Sequence, residues 1–324
     1  MKKEYELISN SQNFPLNVLM VKLLKRAPHL HKEIEIGLVL RGNIGLILSD
    51  SVSNLQVGDM YVLNPMDIHS FSATEEDVII LAVQFPRKLL SPLHTLENTE
   101  FSSRIIRRDA LNASPECGVM KGLLVELAYQ YFYQAPHFEY KCLSLLNIVY
   151  YMVCTILPTK FLMSDKTDRI NSRLIRIINY MEQHYTQKTL LSDIAKNEGL
   201  SLTYLSHFFK DNLKISFQEY LNTKRLKHAQ NLLANTDKSI IDISIESGFS
   251  DPRYLNMACK KYYNCSAIEL RQKKSSMITE FAEVSDNQQR FSSRDDAISL
   301  LQSIRNECSE KYKDYSVWEL YRGH

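Results

Sequence analysis

One short pattern occurs twice in this chain. Ile194-Ala195-Lys196-Asn197-Glu198-Gly199-Leu200 returns 49 positions later as Ile243-Ser244-Ile245-Glu246-Ser247-Gly248-Phe249. Tyr204-Leu205 returns 50 positions later as Tyr254-Leu255, the extra residue lying in Asp251-Pro252-Arg253. Such a repeat means two copies of one supersecondary unit, and each copy predicts a short helix, a glycine-hinged turn and a second short helix. In the first, Leu191, Ile194 and Ala195 form an apolar stripe, Gly199 supplies the turn and Ser201 caps a helix over 202–210. Leu205, Phe208 and Phe209 face inward there, leaving Thr203, Ser206, His207 and Lys210 outward. In the second, Ile240, Ile243 and Gly248 take the first roles, Ser250 is the expected cap, and Pro252 sits near the first helical position. Leu255, Ala258 and Cys259 face in, while Arg253, Asn256, Met257 and Lys260 face out. A long helix over 216–234 joins the copies.

Cations neutralise phosphates, and hydroxyl, amide or guanidinium groups meet base edges, so these outward rows suit insertion into a major groove. A solvated bundle surface looks the same, and one copy would not separate the two readings. Two copies do, because paired helices can occupy successive turns of one duplex face. The charge agrees. Residues 165–274 carry 18 basic and 12 acidic side chains, a net +6, against −1 for residues 1–164 and −3 for 275–324. A basic block between such flanks expects an anionic partner.

The segments LSDIAKNEGLSLTYLSHFFK, SFQEYLNTKRLKHAQNLL, IIDISIESGFSDPRYLNMACKKYY and SAIELRQ resemble the DNA-binding domain of the AraC/XylS family over residues 170–273. The resemblance implies a seven-helix domain whose third and sixth helices enter adjacent major grooves. By position it implies that Thr203, Ser206 and His207 do most of the reading in the first copy, with Pro252, Arg253 and Met257 at the corresponding places in the second. The chain departs from the family where His207 and Met257 replace a usual Arg, Cys259 a usual Phe, and Asn264 and Ala267 a usual Gly and Pro. Met257 has no group for a phosphate or a guanine edge, so weaker or mainly apolar contacts are expected from the second copy.

The first hundred residues read as strands. Ile34, Ile36, Leu38 and Leu40 alternate with Glu35, Gly37, Val39 and Arg41, a period of two. Gly42-Asn43 breaks the run before Ile44 to Ser49 resumes it, predicting a hairpin. Met60 to Leu63 and the apolar run Val78 to Phe85 predict two more strands, and the punctuation suggests a sandwich or small barrel. His29-Leu30-His31, Glu35 and Gly42, followed by Gly58, Pro65 and His69, resemble the two cupin motifs over residues 15–90. Cupin ligands converge inside a small barrel, although here Leu23 stands at the leading Gly, Asp67 near another Gly and Ala73 at the usual Asn. Imidazoles two apart with a carboxylate suit a divalent transition metal. Two readings stay open: His29, His31, Glu35 and His69 hold such a metal, with Glu33 able to replace Glu35, or the same four line an effector pocket without one. The family resemblance implies a barrel sensing a small molecule, commonly a sugar or other nutrient.

After Pro115 the pattern turns helical, over 119–134 and 138–157; antiparallel packing or a dimer interface would bury these helices equally well. Residues 143–157 are too few to cross a bilayer comfortably, and polar residues interrupt 1–20, so neither membrane segment nor signal peptide is expected. Six cysteines without a C-x-x-C pair read as reduced, mostly buried thiols. In the tail, Ser293 with Asp295 and Asp296 opens a helix carrying Ile298, Leu301, Ile304 and Cys308, expected to dock on the DNA-binding domain; Trp318 follows.

The expected architecture is α+β and multidomain. It comprises a cupin-like barrel (1–95), a helical linker and dimerisation segment (96–164), an all-α domain with two helix-turn-helix units (165–274) and a C-terminal helical extension (275–324). The function that follows is a cytoplasmic, sequence-specific transcription regulator, an activator by family habit. Its expected partners are double-stranded promoter DNA, a small-molecule effector, RNA polymerase and a second copy of the chain, with no membrane. The alternative is a cupin-type metalloenzyme with an accessory helical domain. An enzyme has no need of a duplicated helix-turn-helix, and 9 glycines in 324 residues leave little for a glycine-rich cofactor loop. No enzyme activity is expected, and no cofactor apart from the metal of the first reading.

Overall fold

A computed structural model describes residues 4–5, 14–48, 51–73, 75, 77–90, 99–113, 115–161, 166–187, 190–213, 215–263, 265–272 and 288–311. The chain divides into two units: residues 8–163 with 287–324, and residues 1–7 with 164–286. After the two-residue β1 (Glu4–Tyr5), the front unit runs through β2 (Asn17–Leu30), β3 (Ile34–Arg41), β4 (Ile44–Leu48), β5 (Ser51–Leu55), β6 (Met60–Leu63), β7 (His69–Ala73) and β8 (Ile79–Phe85). Then come β9 (Thr99–Phe101), β10 (Ile105–Ile106), α1 (Arg108–Ala113), α2 (Pro115–Tyr133), α3 (Phe138–Ile156) and β11 (Thr159–Phe161).

The strands form a curled antiparallel sheet in the order β10-β6-β3-β8-β2-β7-β4-β5. The curl follows from β2, whose first half pairs with β8 and whose second half pairs with β7, with a register shift between Arg26 and His29. All seven residues of β8 are buried, as its unbroken apolar run requires. Elsewhere the period of two sorts the faces. Ile34, Ile36, Leu38, Met60, Val62, Leu81 and Val83 pack in one core with Leu123, Leu124 and Leu127 of α2 and Leu145, Leu146 and Val149 of α3. Val39, Tyr61, Leu63, Phe71 and Ile80 belong to a second core, on the concave side. Antiparallel packing of α2 and α3 is thus what buries the predicted helices.

The tail departs from expectation. After β12 (Gln288–Phe291) and α11 (Arg294–Lys311) the chain belongs to the front unit, not to the DNA-binding domain. The backbone of β12 pairs with β2, Phe291 opposite Val21 and Arg290 opposite Lys22. Ser293 caps α11 as predicted, its hydroxyl accepting from the Asp296 amide at 3.2 Å. Ala297, Leu301 and Cys308 enter the same core as α2. Amphipathic periodicity identifies such a helix but not its partner. The partner is marked by Glu126, a carboxylate with no exposure inside an otherwise apolar stretch of α2. It receives the Arg305 guanidinium of α11, Lys141 of α3 at 3.5 Å and Gln130 Nε2 at 2.8 Å. Arg305 also lies 4.7 Å over the Tyr129 ring, and Arg294 donates to the carbonyls of Phe132 and Tyr133 at the end of α2.

Between residues 164 and 286 the elements among the described residues are all helices: α4 (Lys166–His184), α5 (Leu190–Glu198), α6 (Leu202–Leu213), α7 (Phe217–Asn235), α8 (Ile240–Glu246), α9 (Pro252–Tyr263) and α10 (Ala267–Gln272). Trp318 and Asn264 lie outside the described residues. Ser201, Ser216 and Ser239 each accept an amide from three residues ahead, capping α6, α7 and α8. The cap of α9 is Asp251 rather than Ser250: its Oδ1 accepts the Arg253 amide at 2.8 Å. Because Pro252 is the first helical residue, the residue before it takes the cap position. Five cysteines among the described side chains are free, and all but the half-buried Cys154 are buried.

Arg305→Ala leaves the Glu126 carboxylate with Lys141 and Gln130 but without its guanidinium. A partner removed from a buried pair costs about 3–5 kcal/mol, discounted here to about 2 because Lys141 remains. Denaturant unfolding of the full chain should show that loss, and amide exchange over 294–311 should accelerate; unchanged exchange would contradict the clasp.

Candidate DNA interface and buried histidine cluster

The repeat places two similar helices on one domain. Gly199 and Gly248 turn between α5 and α6 and between α8 and α9 with φ of +64° and +88°, a conformation glycine adopts without strain. The copies differ in what surrounds that turn. A Cβ on Gly199 would meet nothing within 4 Å, whereas one on Gly248 would lie 2.6 Å from Thr186 Cα. Arg225 of α7 fixes that neighbourhood, donating to the carbonyls of Tyr185 at 2.7 Å and Gln187 at 3.1 Å. The second copy is therefore locked against the end of α4, and the first copy's hinge faces open space.

In α6, Leu205, Phe208 and Phe209 are buried while Thr203, Ser206, His207 and Lys210 are exposed. In α9, Leu255, Ala258 and Cys259 are buried while Arg253, Met257 and Lys260 are exposed. Asn256 is only half-exposed, and its Oδ1 accepts the Ala267 amide at 2.9 Å, so its side chain starts α10 instead of standing free for a base. Arg253 is 85% exposed but forked onto Asp251, at 3.0 and 3.1 Å. That carboxylate holds the guanidinium, and the guanidinium holds the Asp251 carboxyl below the usual carboxylate range. Sequence reasoning passed over Tyr204 and Tyr254, repeat-equivalent third residues of α6 and α9, 52% and 54% exposed. Their recurrence was visible, but an aromatic reads as core unless its exposure is known.

In the front unit the four predicted polar residues converge. His29 and His69 are register partners across β2 and β7, with ring centroids 4.0 Å apart, and His31 lies 5.0 Å from His69. Each Nδ1 faces a main-chain carbonyl: His29 that of Ala27 at 2.9 Å, His31 that of Glu33 at 3.1 Å, His69 that of Asp67 at 3.0 Å. A carbonyl only accepts, so Nδ1 carries the proton in all three and Nε2 keeps its lone pair in the neutral ring. Yet His31 Nε2 stands 3.1 Å from Glu35 Oε2, two acceptors that require a proton or a cation between them. Glu35 also accepts from Tyr61 Oη at 2.7 Å and Gln84 Nε2 at 2.8 Å. Gly37 makes that possible, since a Cβ there would lie 1.9 Å from Tyr61 Cζ. Glu33 takes part through its carbonyl; the carboxylate in the cluster is Glu35. Donor atoms of His31, Glu35 and His69 lie within 4.8 Å of one another, the one such group among the described residues. His29 falls outside that set.

Burial of Glu35 would raise its pKa, but hydrogen bonding and charge from His31 outweigh it and hold the carboxyl at about 2. Burial, then the charges of His69 and Arg26, hold His29 well below the ordinary imidazole value. Both shifts act in one direction: the unfolded chain takes up protons that the folded chain refuses. Stability from His29 is full above about pH 6.5 and is lost below it; that from Glu35 is lost between about 4.5 and 2. Unfolding of the full chain across pH should show a larger first step in the wild type than in His29→Leu, the remainder coming from His228, which burial also holds below the ordinary imidazole value. A step of equal size in both would refute the assignment.

A curled β unit holding a polar cluster is thus followed by a duplicated helix-turn-helix, the arrangement of a two-part regulator of DNA-binding class. Two family models match the two parts: AraC-like ligand binding domain over residues 23–93 and Helix-turn-helix domain over residues 194–273. The chain belongs to the AraC-type family of transcription regulators. An HTH-type transcriptional regulator of Staphylococcus aureus is 25% identical over 224 residues, 66% of this chain and 28% of that protein, so the chain spans less than a third of that relative's length. ExsA of Pseudomonas aeruginosa is 32% identical over 113 residues, 35% of this chain and 41% of ExsA. The structure of ToxT from Vibrio cholerae is 14% identical, with a TM-score of 0.43 over 81% of this chain and 99% of ToxT. Among the described residues no helix is long and apolar enough to cross a membrane.

Proposed function

We propose that this chain is a DNA-binding transcription regulator, an activator working with RNA polymerase in the cytoplasm, that answers a small molecule in its barrel. The observation that carries the reading is the exposure, on two repeat-related helices, of Thr203, Ser206, His207 and Lys210 and of Arg253, Met257 and Lys260. Asn256 positions α10 and stands outside the contact set. Arg253 reaches a phosphate or guanine by exchanging the Asp251 carboxylate for it, an exchange of one charged hydrogen-bond pair for another. His207 and Lys210 carry the first copy.

The histidine cluster supports a divalent transition metal held by His31, Glu35 and His69, with an effector such as a sugar or other nutrient bound beside it and His29 lining the same space. The His31 and His69 imidazoles, each oriented by a carbonyl partner at Nδ1 and keeping Nε2 for a ligand, have the outer-shell arrangement of metal ligands. A bound ion would supply a Lewis-acid anchor for an effector hydroxyl or carboxylate, while Tyr61 and Gln84 orient Glu35. A second copy of the chain, if it pairs through the helices, must use the outer face of α3, where Tyr140, Ser144, Asn147, Tyr151 and Thr155 are exposed; α2 is enclosed by α1, α3 and α11.

In gel shifts on the chain's own upstream region and cognate promoters, His207→Ala and Arg253→Ala should each weaken binding about tenfold, as loss of a good base or phosphate contact does. Binding should fall steeply with salt. Affinity unchanged in both variants would sink the contact assignment. Metal analysis of chelator-free protein should give about one ion per chain, and His31→Ala should lose it; a content far below one removes the metal.

A further inference from the structure

The fold-back of α11 does more than close the front unit: it completes a recess of about 290 Å³ that shares no residue with the histidine cluster. One wall is the β5–β6 turn, Val57 and Gly58, and another is the start of α1, with Arg108 and Leu111. The remaining walls are Gly118 and Lys121 of α2 and Glu307, Cys308 and Lys311 of α11. Arg108, Lys121 and Lys311, from three helices, line it together with the Glu307 carboxylate, and Arg108 also lies 3.9 Å from the Asp109 carboxylate.

The rim is built. Asp59, nearly fully buried, takes the Gln56 amide at 3.0 Å, the Arg107 guanidinium at 2.9 Å and the Arg108 amide at 2.7 Å. One carboxylate thereby fixes the turn to α1 and sets Arg108 on the edge. On the other side, the pairing of Arg305 with Glu126 fixes α11 on α2, which brings the last turns of α11 alongside Lys121. Cys308 lies at that seam with a thiol pushed up by burial, in the fields of Lys121 and Lys311.

We propose that this recess binds a small anionic ligand, a phosphate ester or a di- or tricarboxylate, through Arg108, Lys121 and Lys311. It is an effector site separate from the barrel, and its occupancy fastens the C-terminal helix to the sensing unit. The inference does not depend on DNA binding, and its test has its own readout.

Titration calorimetry of the full chain at low, fixed ionic strength would use inorganic phosphate in one arm and citrate in the other. Saturable binding in either arm, weakened about tenfold by Lys121→Ala and by Lys311→Ala, supports the site. The arm that binds more tightly names the ligand class. The same anion should slow amide exchange over 294–311, and His31→Ala should bind it as the wild type does. Absence of saturable binding in both arms overturns the proposal, as does binding that survives the double Lys121→Ala, Lys311→Ala variant.

Discussion

The carboxylate of Glu126 has no contact with water, and an ionised group in that position costs several kcal/mol unless cations and donors surround it. Its donors come from three places: the next turn of its own helix, α3, and the far end of the chain. Satisfying one charge therefore draws α2, α3 and α11 into one bundle, and that bundle covers the convex face of the sheet. Leu301 and Ala297 could in principle slide along α2, since apolar packing is not directional. The guanidinium on Glu126 and Tyr129, with Arg294 on the last carbonyls of α2, fixes the register.

The same logic recurs on the concave face. Glu35 is buried, and its ligands are Tyr61, Gln84 and His31, drawn from β6, β8 and the end of β2. Gly37 stands two residues along the strand because Tyr61 needs the space a side chain would fill. A glycine there weakens β3 by about 0.5–1 kcal/mol, and the loss is offset by the hydrogen bond it permits to a charged acceptor. The concave core is thus apolar at Leu63 and Phe71 and charged at Glu35, whose carboxylate meets the His31 imidazole.

Much of this was legible in residue patterns. The spacing of the two glycine-hinged segments, and Ser201 and Ser293 ahead of their helices, placed the helices of the second half within a few positions. Alternation through Ile34–Arg41 gave both the strand and its two faces. The four polar residues of the front unit were legible because cupin-like spacing brings strand ends together. What could not be read was anything depending on a distant partner. Asn256 looks outward on a helical wheel, yet the amide it accepts is eleven residues away, across a turn. Arg253 looks free until Asp251 is seen to cap the helix and hold it. The destination of α11 was hidden because an apolar stripe fits any complementary groove, and the residue that selects the groove, Glu126, lies 179 positions before Arg305.

Connectivity ties the two halves together more closely than their sequence order suggests. The front unit is interrupted at residue 163 and resumes at 287, so residues 164–286 are an insertion joined to it at both ends. The returning chain enters as β12, and β12 pairs with β2 at Val21 to Lys25. Only four residues further along β2 stands His29, beside His69. The ladder between these positions is irregular, since the register with β7 shifts between Arg26 and His29. The strand that closes the front unit and the histidine cluster therefore share β2.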